Sequence, residues 1–202
     1  MLPMTKKILY VHGFSSSGSS GTVMMLRQQL YEKRVSVIAP DLPVLPAEAI
    51  ELLRRIIDTE HPDLIIGTSM GGFYTELLKG TPRILVNPSF QMSRTLTFKG
   101  MGRYPFLNKR EDGAKDFKVD RTMIDQFRTL EKESFKNITA EEKNMVWGVF
   151  GKDDKITTSF QSVFCKHYGK DHFVLFDGEH RLNDKILNHV VMPLILDILN
   201  VE

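Results

Sequence analysis

The sequence predicts an α/β fold: a three-layer α/β/α sandwich built on a doubly wound parallel sheet of about six strands. Two observations carry this expectation. Short apolar runs alternate along the chain with longer amphipathic stretches, the order that right-handed βα units produce. The runs are also nearly continuous in apolar character, as strands buried on both faces are. With 202 residues, 42% of them hydrophobic, the chain suits a single domain spanning residues 1–202.

The expected strands are Lys7–Val11, Val35–Ala39, Leu64–Gly67, Ile84–Asn87, Met145–Phe150 and Phe173–Phe176. Helices fit between them. Thr22–Lys33 carries Val23, Leu26 and Leu30 on one stripe and ends in Glu32-Lys33-Arg34, where cations complement a helix C-terminus. Ala47–Thr59, Met70–Lys79, Thr157–Tyr168 and Asn183–Leu199 follow the same logic. Residues 89–144 break the rhythm, being too long for a simple connection. Their first half has weak periodicity, whereas Arg121–Lys132 sets Ile124, Phe127 and Leu130 on one helical face. The segment is expected to be a lid-like insertion over one end of the sheet.

Bulk composition removes several function classes. Lys and Arg number 27 against 25 Asp and Glu, a formal net charge of +2, which predicts no broad nucleic-acid or anionic-membrane footprint. The single cysteine, Cys165, forbids an intrachain disulfide and fits a reducing, cytoplasmic setting. The apolar run Ile8–Val11 is too short for a signal-peptide core, and no stretch approaches a membrane span.

The chemistry-bearing motif is Gly67-Thr68-Ser69-Met70-Gly71, a G-x-S-x-G between an expected strand and an expected helix. A serine projecting from so sharp a turn brings its neighbours close, so the positions two before and two after need small side chains. In a chain this long, chance supplies such a match only about 0.07 times, before the strand and helix are required.

A serine hydroxyl needs a base, usually a histidine held by a carboxylate. Beyond such an elbow the order is Ser, then Asp or Glu, then His, on loops at the C-terminal ends of later strands. The candidates are Gly151-Lys152-Asp153-Asp154 and Asp177-Gly178-Glu179-His180. Ser69, Asp154 and His180 are therefore the expected catalytic residues, with Asp153 the alternative acid. His12, His61, His167, His172 and His189 sit at strand ends or within helices, where structural or solvated roles are expected. Cys165, mid-helix beside Phe164, reads as a small buried hydrophobe.

The stretch Tyr10-Val-His-Gly-Phe-Ser-Ser-Ser-Gly-Ser-Ser-Gly-Thr22 has the Gly13–Gly18 spacing of a phosphate-binding loop. Ser19 and Ser20 stand where Lys and Ser or Thr would follow, so the phosphate-contacting lysine is missing. A donor loop remains. The backbone N–H groups of Phe14 and Met70 are the expected oxyanion-hole donors, and the serines or Thr22 cap the next helix.

These pieces, YVHGF, GTSMGGFY, LVNPSF, FGKDD and DGEHRL, make the chain resemble the α/β-hydrolase superfamily, and more narrowly the small YqiA/YcfP-like esterases. The resemblance implies six parallel strands in the order 2-1-3-4-5-6. It also implies a Ser69–His180–Asp154 triad, no cofactor or metal, and hydrolysis of a small-molecule acyl ester. Thioester or amide cleavage by the same residues is the first rival, and a catalytically silent binding protein the second. Gln91–Phe117 does not match the family pattern. In the 89–144 insertion Phe90, Met92, Phe98, Met101, Tyr104 and Phe106 are candidates to line an acyl site. Arg94, Lys99, Arg103, Lys109 and Arg110 are candidates to meet an anionic substrate.

Overall fold

The computed structural model describes residues 5–201; Met1–Met4, part of the N-terminal stretch weighed above as a signal peptide, lie outside the described residues. Six strands form one parallel sheet: β1 (Lys6–Val11), β2 (Val35–Ile38), β3 (Leu64–Thr68), β4 (Arg83–Val86), β7 (Val146–Gly151) and β8 (Phe173–Phe176). Their order is β2-β1-β3-β4-β7-β8, and every neighbouring pair is parallel. The sheet winds outward in both directions from β1, which places a crevice at the C-terminal ends of β1 and β3.

Alternate residues of each strand serve different layers. Ile8, Tyr10, Leu64, Ile66, Ile84 and Val86 face α1 (Gly21–Tyr31) and the C-terminal helical segment. That segment runs α8 (Asp184–Ile186), a π-helical turn at Leu187–Val191, then α9 (Met192–Leu199). On the other face, Leu9, Val11 and Ile65 pack with α2 (Pro46–Glu60) and α3 (Met70–Leu77), while Leu85 and Phe150 meet α7 (Thr158–Tyr168). The inner strands β1, β3, β4 and β7 are thus largely buried on both sides, which is why their sequences read as nearly continuous apolar character, whereas edge strand β8 leaves Leu175 exposed. Helix starts are set locally: the Ser20 side chain accepts from Val23 N–H at α1, and Asp120 accepts from Met123 N–H at α5 (Arg121–Glu131).

Residues 89–144 contain α4 (Met92–Lys99), the antiparallel hairpin β5 (Gly102–Pro105) and β6 (Asp116–Val119), α5, and α6 (Ala140–Asn144). Much of this segment is core. Met92, Leu96, Phe117, Val119, Met123, Ile124 and Phe127 join the cluster that includes Leu9, Val11 and Ile65. Among the described residues, no helix is long and apolar enough to cross a membrane.

Candidate active site

Ser69 stands between β3 and α3 with φ +54° and ψ −116°, a conformation rarely adopted by a non-glycine residue. The neighbouring glycines make that turn fit. A side-chain carbon at Gly71 would lie 2.0 Å from the Val11 carbonyl oxygen, and one at Gly67 would lie 2.3 Å from the Gly71 carbonyl oxygen. Neither position tolerates even alanine without moving backbone.

Two loops bring partners to the serine. His180, after β8, has Nε2 2.9 Å from Ser69 Oγ and Nδ1 2.8 Å from Asp154 Oδ2. Asp154, after β7, is fully buried. It accepts from the backbone N–H groups of Ile156 and Thr157 at 2.8 and 3.1 Å, and from the Thr157 hydroxyl. Burial opposes its charge, but the bonds from His180 and Thr157 prevail and hold the carboxyl below the usual aspartate range. Asp153 is exposed and is not among the groups bonded to His180, so the geometry distinguishes the two aspartates.

The structure adds a residue whose role the sequence does not announce. Asn87, just beyond β4, accepts from Gly151 N–H at 2.8 Å and donates to the carbonyls of Glu179 and His180 at 3.2 and 3.0 Å. It ties the aspartate loop to the histidine loop. Its φ of +44° is one that asparagine adopts more readily than most residues. The signal available in the sequence is Asn87-Pro88 directly after an apolar run.

The loop after β1 closes over the elbow. A side-chain carbon at Gly13 would lie 3.4 Å from Ser69 Cβ and 3.3 Å from the Thr68 carbonyl oxygen, so this backbone passes directly beside the serine. The loop is tied down from several directions. The Ser17 and Ser19 hydroxyls donate to the Lys109 carbonyl, and Gly18 N–H donates to Asp41. Leu107 N–H donates to the Ser15 carbonyl at 2.7 Å.

Phe14 and Met70 line a small pocket that opens to solvent. Leu42, Pro43, Val44, Phe106, Phe117, Met123 and Phe127 form its apolar wall, with His12, Ser15 and Ser16 at one side. Of the six aromatic and methionine candidates, Phe106 alone lines it. Phe98 and Met101 are exposed, Met92 belongs to the core, and Phe90 packs against Phe135 and Phe160. Tyr104 instead packs edge-on against Phe14.

The cationic candidates are largely engaged. Arg103 pairs with Asp116, and Arg110 is buried against Asp112 and the Leu42 carbonyl. Arg94 lies over Phe98, and Lys99 over Phe14 and Tyr104. The other histidines lie elsewhere: His61 ends α2, while His167 and His172 stack on Phe135 and Trp147. Among the described residues, no three His, Cys, Asp or Glu side chains gather as metal ligands.

Comparison with known proteins agrees with this architecture. A family model described as an uncharacterised protein family, UPF0227, matches residues 7–194. Among solved structures, the chain is similar to alpha/beta hydrolase domain-containing protein 10 from mouse. The TM-score is 0.65 at 14% identity, covering 99% of this chain and 92% of the mouse chain. It is similar to Est1E from Butyrivibrio proteoclasticus with bound ferulic acid, at TM-score 0.68 and 15% identity, covering 97% and 90% of the two chains. It is also similar to FphF, a fluorophosphonate-binding serine hydrolase of Staphylococcus aureus. Here the TM-score is 0.63 at 17% identity, covering 99% and 86%. These likenesses establish the α/β-hydrolase fold.

Proposed function

Because the chain belongs to the UPF0227 family and has the α/β-hydrolase fold, we propose that it is a serine hydrolase of small carboxylic esters. The observation that carries the reading is the continuous chain of hydrogen bonds from buried Asp154 through His180 to Ser69 on a strained turn. Two of the similar structures, Est1E with ferulic acid bound and a fluorophosphonate-binding serine hydrolase, support the same class.

In this reading Ser69 Oγ attacks the ester carbonyl while His180 Nε2 takes its proton. Asp154, ionised and held by its own donors, fixes the proton on His180 Nδ1 and stabilises the imidazolium. The oxyanion forms against the N–H groups of Met70 and Phe14, each worth roughly 3–4 kcal/mol in the transition state. Met70 N–H opens α3, where the helix dipole adds to the same effect. His180 then protonates the departing alcohol. Water, deprotonated by His180, attacks the acyl-enzyme, and the acid leaves as the Ser69 hydroxyl re-forms.

The apolar pocket beside Met70 receives the acyl group, and its wall carries no ionised side chain. The acyl group it takes is therefore uncharged, and the steps above call on no cofactor. We place the reaction in the cytoplasm, consistent with the lone cysteine.

The test is labelling with a fluorophosphonate followed by peptide mapping. Modification at Ser69, abolished in Ser69→Ala along with turnover of p-nitrophenyl esters, is the expected result. Labelling at another residue, or none on folded protein, overturns the reading.

A further inference from the structure

We propose that His12 is a positioning residue for the oxyanion hole, its Nδ1–H holding the Gly13 carbonyl and thereby aiming the Phe14 N–H. The proposal rests on the reading of Ser69 as nucleophile and Phe14 N–H as oxyanion donor. It starts from the rigidity of one peptide unit. The Gly13 C=O and the Phe14 N–H belong to the same planar group and point in opposite directions. Whatever holds the carbonyl therefore sets where the N–H points.

Two donors hold it. His12 Nδ1 lies 2.9 Å from the Gly13 oxygen, and Ser16 N–H donates to it at 3.2 Å. The histidine tautomer is settled by its other side. Leu42 N–H donates to His12 Nε2 at 3.1 Å. A backbone N–H can only donate, so Nε2 carries a lone pair and the proton of the neutral ring sits on Nδ1. The ring is therefore a donor toward Gly13 by necessity. Donation to the carbonyl also polarises the amide and strengthens its N–H as a donor.

The surroundings keep the ring neutral and still. His12 is 3% exposed, and burial lowers its proton affinity against the opposing pull of the Gly13 bond and Asp41. Asp41 and Arg110 are the charged groups acting on it. Both are engaged elsewhere: Asp41 accepts from Gly18 and Glu111 N–H, and Arg110 donates to the Leu42 carbonyl and to Asp112. A second proton on the ring would aim an N–H at the Leu42 N–H. The same imidazole thus connects the oxyanion loop, through Gly13, to the pocket wall, through Leu42.

Two amide substitutions separate the two nitrogens. Asparagine places its amide near the position of Nδ1, and glutamine reaches toward Nε2. His12→Asn keeps the donor to Gly13 and is expected to retain kcat within about threefold. His12→Gln keeps only the acceptor for Leu42. It is expected to lower kcat about 10- to 100-fold with KM within about twofold, less than the loss of a whole oxyanion donor. Affinity for a boronic acid that mimics the tetrahedral intermediate should fall with kcat.

A purely structural histidine predicts no such split between kcat and KM, and no difference between the amides. A folded His12→Gln enzyme with wild-type kcat, or equal losses in both variants, overturns the proposal. Nitrogen-15 NMR of the wild-type protein supplies an independent reading that needs no variant to fold. It should find His12 protonated on Nδ1 and bare on Nε2, and the reverse tautomer overturns the proposal. Fluorophosphonate labelling of wild-type Ser69, run alongside, tests the underlying reading separately: if it fails, the nucleophile assignment falls first and the proposal with it.

Discussion

Two buried polar clusters stand at opposite ends of β4, and they treat their carboxylates in opposite ways. Beyond its C-terminal end, Asp154 accepts four hydrogen bonds: from two backbone N–H groups, the Thr157 hydroxyl and His180. At its N-terminal end, fully buried Arg83 contacts Glu142 and the Glu76 carbonyl. Glu76 itself accepts from Tyr168 and Phe135 through one oxygen only. Its second oxygen and Arg83 Nε are buried without partners among the described residues. Burial therefore dominates at Glu76 and raises its proton affinity, overcoming the bonds from Tyr168 and Phe135. At Asp154 the donors overcome burial. The balance between burial and hydrogen-bond donors thus falls on opposite sides at the two carboxyls.

Asp154→Asn should lower kcat by about 10⁴-fold, the scale for losing the group that fixes the histidine tautomer. Asp153→Asn should leave it within about twofold, and steady-state kinetics on a p-nitrophenyl ester reads both. At the other end of β4, Arg83→Met should cost roughly 3–5 kcal/mol, because Glu142 is left buried without its cation. Urea unfolding measures that loss, while kcat per folded molecule should hold.

Asn87→Gly keeps the positive φ and removes the clamp. It should lower kcat about tenfold and stability by roughly 1–3 kcal/mol, the cost of stranding its buried partners.

The smallest effect is a difference of slope with pH. Glu76 titrates above its ordinary 4.5 in the fold, so the stability it confers is full below 4.5 and is lost as pH rises through the folded value. Asp154 titrates below its ordinary 3.8, so its contribution is present above 3.8 and is lost as pH falls through the folded value. Glu76→Gln should flatten the decline on the alkaline side, and Asp154→Asn the decline on the acid side. Unfolding midpoints across a pH series give both slopes.

The parts legible in the sequence are those written in local pattern. Strands of nearly continuous apolar character announce themselves, and the six appear within a residue of their expected bounds. The elbow is a five-residue motif, and Ser69, Asp154 and His180 fall on loops that strand ends define. The hairpin β5–β6 is not legible. Its first strand alternates half-buried and exposed residues, and ten residues separate it from its partner. Helix α4 is missed because its start has no side-chain cap and its stripe is only Met92, Ser93 and Leu96. The pocket wall fails for a different reason. Leu42, Pro43 and Val44 belong to a loop without periodicity, and their neighbours Phe106 and Phe127 come from elements far along the chain. The aromatic and methionine side chains of residues 90–106 mostly pack elsewhere, with Phe106 alone reaching this wall.

The hydrogen bonds on His180 reach back 26 residues to Asp154 and 111 to Ser69, and Asn87 grips the histidine loop across 92 and 93. During synthesis, the elbow and the loop beside it leave the ribosome long before the base exists. In the proposed mechanism Ser69 is until then an ordinary alcohol, no more reactive than any other serine of the nascent chain. The hydrolytic competence proposed for the site would thus be deferred until both halves of the polypeptide have been made and have met, and its onset would be a timer for completed assembly.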